Sequence, residues 1–387
     1  MLRVLMSLTL AGAALGAPLA QASSYDLLVG TYTQGASQGL YRLTFDSDSG
    51  QIARAPAQVV KADNPSWLTL NKAQDRLYVV NENGPGQKDT IGRVSSYRID
   101  PATHELTLIN QVETRGEEPT HSSLSADERF LFVSNYAVQP NPGGSLAVLP
   151  VERDGRLGEV VQQLSHAPSK VNAERQASGH VHSVVSNQGF VYANDLGADK
   201  VFIYRYQPDA KVPLSPASPA AVTLPPGSGP RHLLFDRSGE RAWLTLEMPA
   251  QVASFSWQAG NLVRTQLQDL APGVTPAIGA GAGLHLSADG KFLYVSNRGS
   301  VNELVVYAVD QAGGLKPIQR RSVEGDHPRE FSLDPTGRFV LIANQKSNEI
   351  VVVARDVRTG QLLATVQRYA IDAPSDVKFI GASHQSR

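Results

Sequence analysis

The chain has 387 residues, with 35 basic and 36 acidic side chains for a formal charge of −1, and no cysteine. Without cysteine there are no disulfides, no thiolate nucleophile and no thiolate metal site, and the near-neutral charge offers nothing to a nucleic acid. A chain this long without crosslinks must be held by burial alone, which one large domain of hydrophobic strands can supply.

The first 22 residues stand apart. Arg3 gives a positive start, Val4 to Ala20 is almost wholly apolar or small, and Ala20-Gln21-Ala22 fits a cleavage site before Ser23. This reads as a secretory signal peptide, and no later stretch is long and apolar enough to span a membrane. Its removal takes away Arg3 and leaves 34 basic against 36 acidic residues. The mature part, 23–387, reads as a single domain.

Next come DLLVGTYT (26–33) and GLYRLTF (39–45), two strand-like runs with no partner before them. A phrase then recurs: a strand opening near Pro, a turn of the Asp/Ser-x-x-Gly type, and a second strand ending in Asn plus one polar residue. It appears at 64–82, 118–136, 179–195, 229–247, 281–298 and 327–345. Aligned on Pro65, Pro119, His180, Pro230, Gly281 and Pro328, the copies lie 47 to 61 residues apart, a spacing that means a propeller or solenoid. Third strands such as VFIYRY (201–206), VASFSW (252–257), ELVVYAV (303–309) and EIVVVAR (349–355) follow the hairpins, so each repeat fits a four-stranded blade. The final segment APSDVKFI (373–380) is a first strand with nothing after it. Pairing it with the N-terminal strands makes a seventh blade and closes the ring, which removes its open edges. The expected fold is an all-β, seven-bladed β-propeller of antiparallel blades. Stretches 83–92, 137–144, 164–178 and 207–228 read as loops, where substrate walls tend to be built.

Two rings of residues should converge on one mouth of the channel. One holds the residues just after the Pro position: Ser66/Trp67, Thr120/His121, Val181/His182, Arg231/His232, Ala282/Gly283, Arg329/Glu330 and Ser375/Asp376. The other holds the residue after the Asn position: Tyr32, Glu82, Tyr136, Asp195, Glu247, Arg298 and Gln345. Hydrated polar groups at a tunnel mouth need no chemistry, and Arg231 and Glu247 can pair as a structural salt bridge. The same set also contains what is needed to polarise a carbonyl, move a proton and hold a sugar. His180 and His182 lie two apart on a strand, as a metal pair would, but a third ligand would have to come from another blade. Gly35-Ala36-Ser37-Gln38-Gly39 spells G-x-S-x-G without the strand-to-helix setting of a nucleophile elbow. The Gly-rich run 279–283 lacks a dinucleotide spacing.

From LLVGTYT (27–33) to PSDVKFI (374–380) the chain resembles the seven-bladed β-propeller lactonase family, which includes a propeller-type 6-phosphogluconolactonase and a muconate-lactonizing enzyme. The motifs that carry the resemblance are LLVGTYT, GHVHSV with NDLGADKVFIYRY (194–206), GPRHLLFDRSG (229–239), and HPREFSLDPTGRFVLIANQ (327–345) with SNEIVVV (347–353). It implies catalytic residues His182 (or His180), Arg231, Glu247 and Arg329. Where relatives commonly write Asn-Glu, this chain reads Leu246-Glu247-Met248. It also implies catalysis without metal or other cofactor. His180, His121, His232, Glu82, Asp195 and Arg298 are the expected substrate-binding set. The expected activity is hydrolysis of a small-molecule sugar lactone, with Glu247 or His182 as base and Arg231 and Arg329 on the oxyanion. An exported enzyme would meet glucono-1,5-lactone in the periplasm; the alternatives are 6-phosphogluconolactone or a propeller that only binds.

Overall fold

The computed structural model describes residues 24–139, 141, 143–273 and 279–381; the expected signal peptide and cleavage point lie outside them. Among the described residues all regular structure is β-strand, arranged as seven antiparallel sheets around a ring. Blade 1 joins the chain ends: Pro374–Ile380 pairs with Ser24–Thr31, which pairs with Gly39–Asp46. Blades 2 to 7 follow in order, each with its strands in sequence from the inside out, beginning with inner strands Pro65–Leu70, Pro119–Leu124, Val181–Asn187, Pro230–Phe235, Gly279–Leu286 and Pro328–Leu333. The seven-bladed ring and its closure by N- and C-terminal segments are as the repeats indicated.

The alternation of each strand explains the core. Inward faces of adjacent blades bury seven separate apolar clusters, one at each blade interface. The closing interface, between blades 7 and 1, packs Leu27, Val29, Leu43 and Phe45 against Leu341, Ile350 and Val352. The Asp/Ser-x-x-Gly turns work as written: the N–H groups of Gly239, Gly290 and Gly337 donate to the carbonyls of Asp236, Ser287 and Asp334. Each of these glycines has φ near +70°, a left-handed conformation that glycine takes without steric cost.

Two irregularities repeat at the inner end of the hairpins. The residue before the Pro position is left-handed in five blades, at Asn64, Glu118, Gly229, His327 and Ala373. The residue after it is a bulge, left out of the ladder: Ser66, Thr120, His182, Arg329 and Ser375 singly, and Arg231/His232 and Ala282/Gly283 as pairs. Bulges re-aim side chains and terminate pairing, and here all seven lie at the same end of the channel.

Blade 4 departs from the register read in the sequence by one residue. The carbonyls of Asn64, Glu118, Gly229 and His327 accept from the N–H of Glu82, Tyr136, Glu247 and Gln345; in blade 4 the carbonyl of His180 accepts from Leu196. Val181 therefore takes the Pro position, His182 the bulge, and Leu196 the place after the Asn position. Asp195 falls one residue back, onto the Asn position itself.

Candidate functional site

The bulges bring His182 and Arg231 to the mouth, where the ends of the second strands add Glu247 and Arg298. Glu247 is the centre of the arrangement. Its Oε1 accepts from Arg175 Nη2 at 2.6 Å, and its Oε2 lies 2.8 Å from Arg298 Nη2 and 3.2 Å from Arg231 Nε. His182 Nε2 is 3.9 Å from the same Oε2. Burial by itself would raise the Glu247 pKa, but Arg298, Arg175 and Arg231 outweigh it and hold the carboxyl well below its usual range. Glu247 is ionised at any neutral pH.

Not every donor in this cluster is used. The Arg231 Nε contact to Glu247 is an ion pair out of hydrogen-bond alignment, and Arg298 meets Glu247 through Nη2, so both Nε atoms are buried N–H groups with no hydrogen-bond partner among the described residues. His182 Nδ1 is likewise buried and unpartnered. Buried polar atoms left unpaired are costly, and three of them on side chains that approach one carboxylate leave hydrogen-bonding capacity for a polar ligand.

A second cluster faces it across the mouth from blades 7, 1 and 2. Arg329 Nη2 lies 3.3 Å from Glu82 Oε2, and its guanidinium stands 5.0 Å from the centre of the Tyr32 ring. Tyr32 donates to the same carboxylate at 2.8 Å, and Ser66 donates to it as well. Beneath both clusters the channel is closed by rings: Trp67 and His121 pack 4.3 Å apart, and His232 meets Trp67, His121 and His182 at 5.1, 5.4 and 5.2 Å. Burial first, then neighbouring cations and imidazoles, pushes His121 and His182 well below the ordinary histidine value, and brings His232 down to about 3. All three are neutral at pH 7. The floor rings are themselves uncharged, with Lys378 Nζ 4.5 Å from the centre of the Trp67 ring, and aromatic faces of this kind suit the apolar face of a sugar ring.

The model of the family described as lactonase, 7-bladed beta-propeller, matches residues 26–379. The chain belongs to the seven-bladed β-propeller lactonase family. It is 32% identical to a 6-phosphogluconolactonase of Formosa agariphila over 92% of this chain and 100% of that one, and 32% identical to a 6-phosphogluconolactonase of Bacillus subtilis over 91% and 97%. It is also similar to the solved structure of a Pseudomonas aeruginosa periplasmic gluconolactonase, PpgL, with 52% identity, a TM-score of 0.90, and coverage of 93% of this chain and all of that one. As a lactonase it is an enzyme that hydrolyses lactones, and the relatives it matches support sugar lactones as the substrate class.

Within this lactonase the expected residues separate into groups. His182, Arg231, Glu247 and Arg298 are together; Arg329 and Glu82 form the opposite pair; His121 and His232 are in the floor. His180 and Asp195 are not brought to the opening. His180 stacks on Tyr136, its Nδ1 meets the Tyr136 carbonyl at 2.8 Å, and its Nε2 meets Ser178. Asp195, fully buried, accepts from the backbone N–H of His180 and Ala198 and pairs with His166 at 2.7 Å, because the shifted register puts it where other blades carry a structural Asn. Two residues went unread. Arg175 comes from the loop 164–178, whose length was the only sign that it forms a wall. Glu330 sits in the ring of channel residues but was not singled out. No group of three or more His, Asp or Glu among the described residues is set to hold a metal ion.

Proposed function

We propose that the mature chain, after loss of residues 1–22, hydrolyses glucono-1,5-lactone to gluconate in the periplasm. The observation that carries this reading is the pair of orphaned guanidinium N–H groups, Arg231 Nε and Arg298 Nε, beside an ionised Glu247. When water adds to the lactone carbonyl, its oxygen becomes an oxyanion, and fixed cationic donors stabilise that charge more than they stabilise the neutral carbonyl. Arg231 and Arg298 would take this role, with Arg329 across the mouth. Glu247 would accept the proton of the attacking water through Oε1, once Arg175 swings aside. It would return that proton to the ring oxygen as the ring C–O bond breaks. Neutral His182 would orient the lactone, and Trp67, His121 and His232 would carry its ring.

The unphosphorylated substrate is favoured by the leader sequence and by similarity to PpgL, described as a periplasmic gluconolactonase. A second reading, 6-phosphogluconolactone, draws on the names of the 32% identical relatives. Hydrolysis of both lactones by the mature protein in the presence of EDTA, corrected for spontaneous hydrolysis, separates them. A higher kcat/KM on the neutral lactone supports the proposal, and a preference for the phosphate replaces it with the second reading.

A further inference from the structure

The mouth rests on a carboxylate that the chemistry above does not use. Glu330, 2% exposed, lies under the ring floor. Its Oε1 is 2.8 Å from His285 Nε2 and accepts from the Phe331 N–H at 3.0 Å, while its Oε2 faces His232 Nδ1 at 3.5 Å. On its other side His232 presents Nε2 to Arg231 Nη1 at 3.4 Å. A line of contacts thus runs Glu330, His232, Arg231, Glu247.

We propose that Glu330 is a positioning residue that fixes the tautomer of His232 and, through it, the orientation of the Arg231 guanidinium at the mouth. The effect on catalysis rests on Arg231 acting at the lactone oxygen as read above; the tautomer does not. His232 is neutral and has one ring proton to place. With the proton on Nδ1, an N–H meets the carboxylate and a bare Nε2 lone pair meets the Arg231 N–H. With the proton on Nε2, a lone pair would face a carboxylate and one N–H would face another, so both contacts would be repulsive. The carboxylate therefore selects Nδ1–H, and Arg231 gains an acceptor that holds Nη1 and with it the plane of the guanidinium beside Glu247. The fit is tight: a Cβ on Gly283 would lie 2.3 Å from Glu330 Oε1, so only glycine at 283 leaves the carboxylate where it is.

Glu330→Gln turns this arrangement round. The Phe331 N–H can only donate, so the amide oxygen must take the Oε1 place and the NH2 must face His232. Nδ1 becomes an acceptor, the proton moves to Nε2, and it then opposes the Arg231 N–H. The test is the imidazole 15N spectrum of the histidine-labelled mature protein at neutral pH, with the His232 signals assigned from His232→Gln, together with kcat/KM on gluconolactone. We expect Nδ1–H in the native protein, Nε2–H in Glu330→Gln, and a loss of kcat/KM on the order of 10- to 100-fold. If Glu330→Gln does not fold, Gly283→Ala pushes the same carboxylate away with every charge retained, and is expected to lower kcat/KM in the same way. An Nε2–H tautomer in the native protein, or no change of tautomer in the variant, overturns the proposal; a changed tautomer with kcat/KM within twofold overturns the link to Arg231. A native protein that hydrolyses no lactone but shows the tautomer change overturns the functional reading and leaves the placement of the proton standing.

Discussion

Removing Arg175 should move the acidic limb of the pH–rate profile upward, and its size can be worked from the geometry. Arg175 Nη2 lies 2.6 Å from Glu247 Oε1, so the charge centres are about 4 Å apart, and the pair is worth at most about 4 kcal/mol at an effective dielectric constant near 20. The Arg175 side chain is 43% exposed, so solvent screening reduces this to ~1 kcal/mol. That corresponds to about 0.7 of a pH unit. Arg231 and Arg298 remain in Arg175→Ala, so the Glu247 pKa rises but stays below its ordinary value. The assay is kcat/KM for lactone hydrolysis by the native protein and Arg175→Ala across the acid range. A limb that moves up by roughly this amount identifies Glu247 as the titrating base. Arg175 donates to Glu247 and Tyr136, whereas the cations that most depress His182 are Arg231, Arg329 and Arg298. A limb that stays in place therefore assigns the titration to another group and refutes Glu247 as base.

Acidification should destabilise the fold in two stages. His121, His182, His232 and His327 have folded pKa values below the unfolded 6.5, so the unfolded chain binds more protons as pH falls through 6.5. Each then removes at most about 1.4 kcal/mol per pH unit, and Glu118, pushed up to about 7 by burial, offsets about one of the four between pH 7 and 4.5. Glu247 and Glu330 are depressed below 4.5, so their contribution is complete above that pH and fades beneath it. Calorimetry should show a melting temperature that is level above pH 7, falls below 6.5 and falls faster below 4.5; a rise on acidification would contradict the burial of these imidazoles. Deleting 374–387 should open the ring by stripping blade 1 of its inner strand, which pairs with Asp26 to Thr31 and supplies Asp376 to the Leu68 N–H. Loss of the cooperative melt is expected, and a truncated chain that melts like the full one would refute closure through that strand.

The ring was legible because its grammar is local. Pro at the strand start, Asx-Gly turns and period-two apolar runs each act over a few residues, and their repetition counted the blades. The partners of blade 1 were found from what the two ends lacked. Blade 4 slipped because GHVHS has no Pro to mark its place and Asn194-Asp195 offers two polar residues at the strand end. The contact that fixes the register, from the Leu196 N–H to the His180 carbonyl, is three-dimensional. Glu247 was visible from its place in the repeat, after Leu246 where blades 2, 3, 6 and 7 carry Asn81, Asn135, Asn297 and Asn344. Its electrostatic state was not, because that depends on Arg175 arriving from a loop 72 residues away in sequence and on Arg298 from the next blade. The role of Glu330 depends on two rings meeting one carboxylate, which no spacing encodes.

The account stands on Glu247, and the most direct test is lactone turnover by Glu247→Gln beside the native mature protein, both shown to be folded at the assay temperature. Taking one carboxylate from among three guanidiniums should cost about 3 kcal/mol of stability, so the melting temperature should fall while the protein remains folded. Turnover is predicted to drop by about 10²-fold or more, the range that a lost general base commands. A folded Glu247→Gln that hydrolyses the lactone within twofold of the native rate would contradict the account.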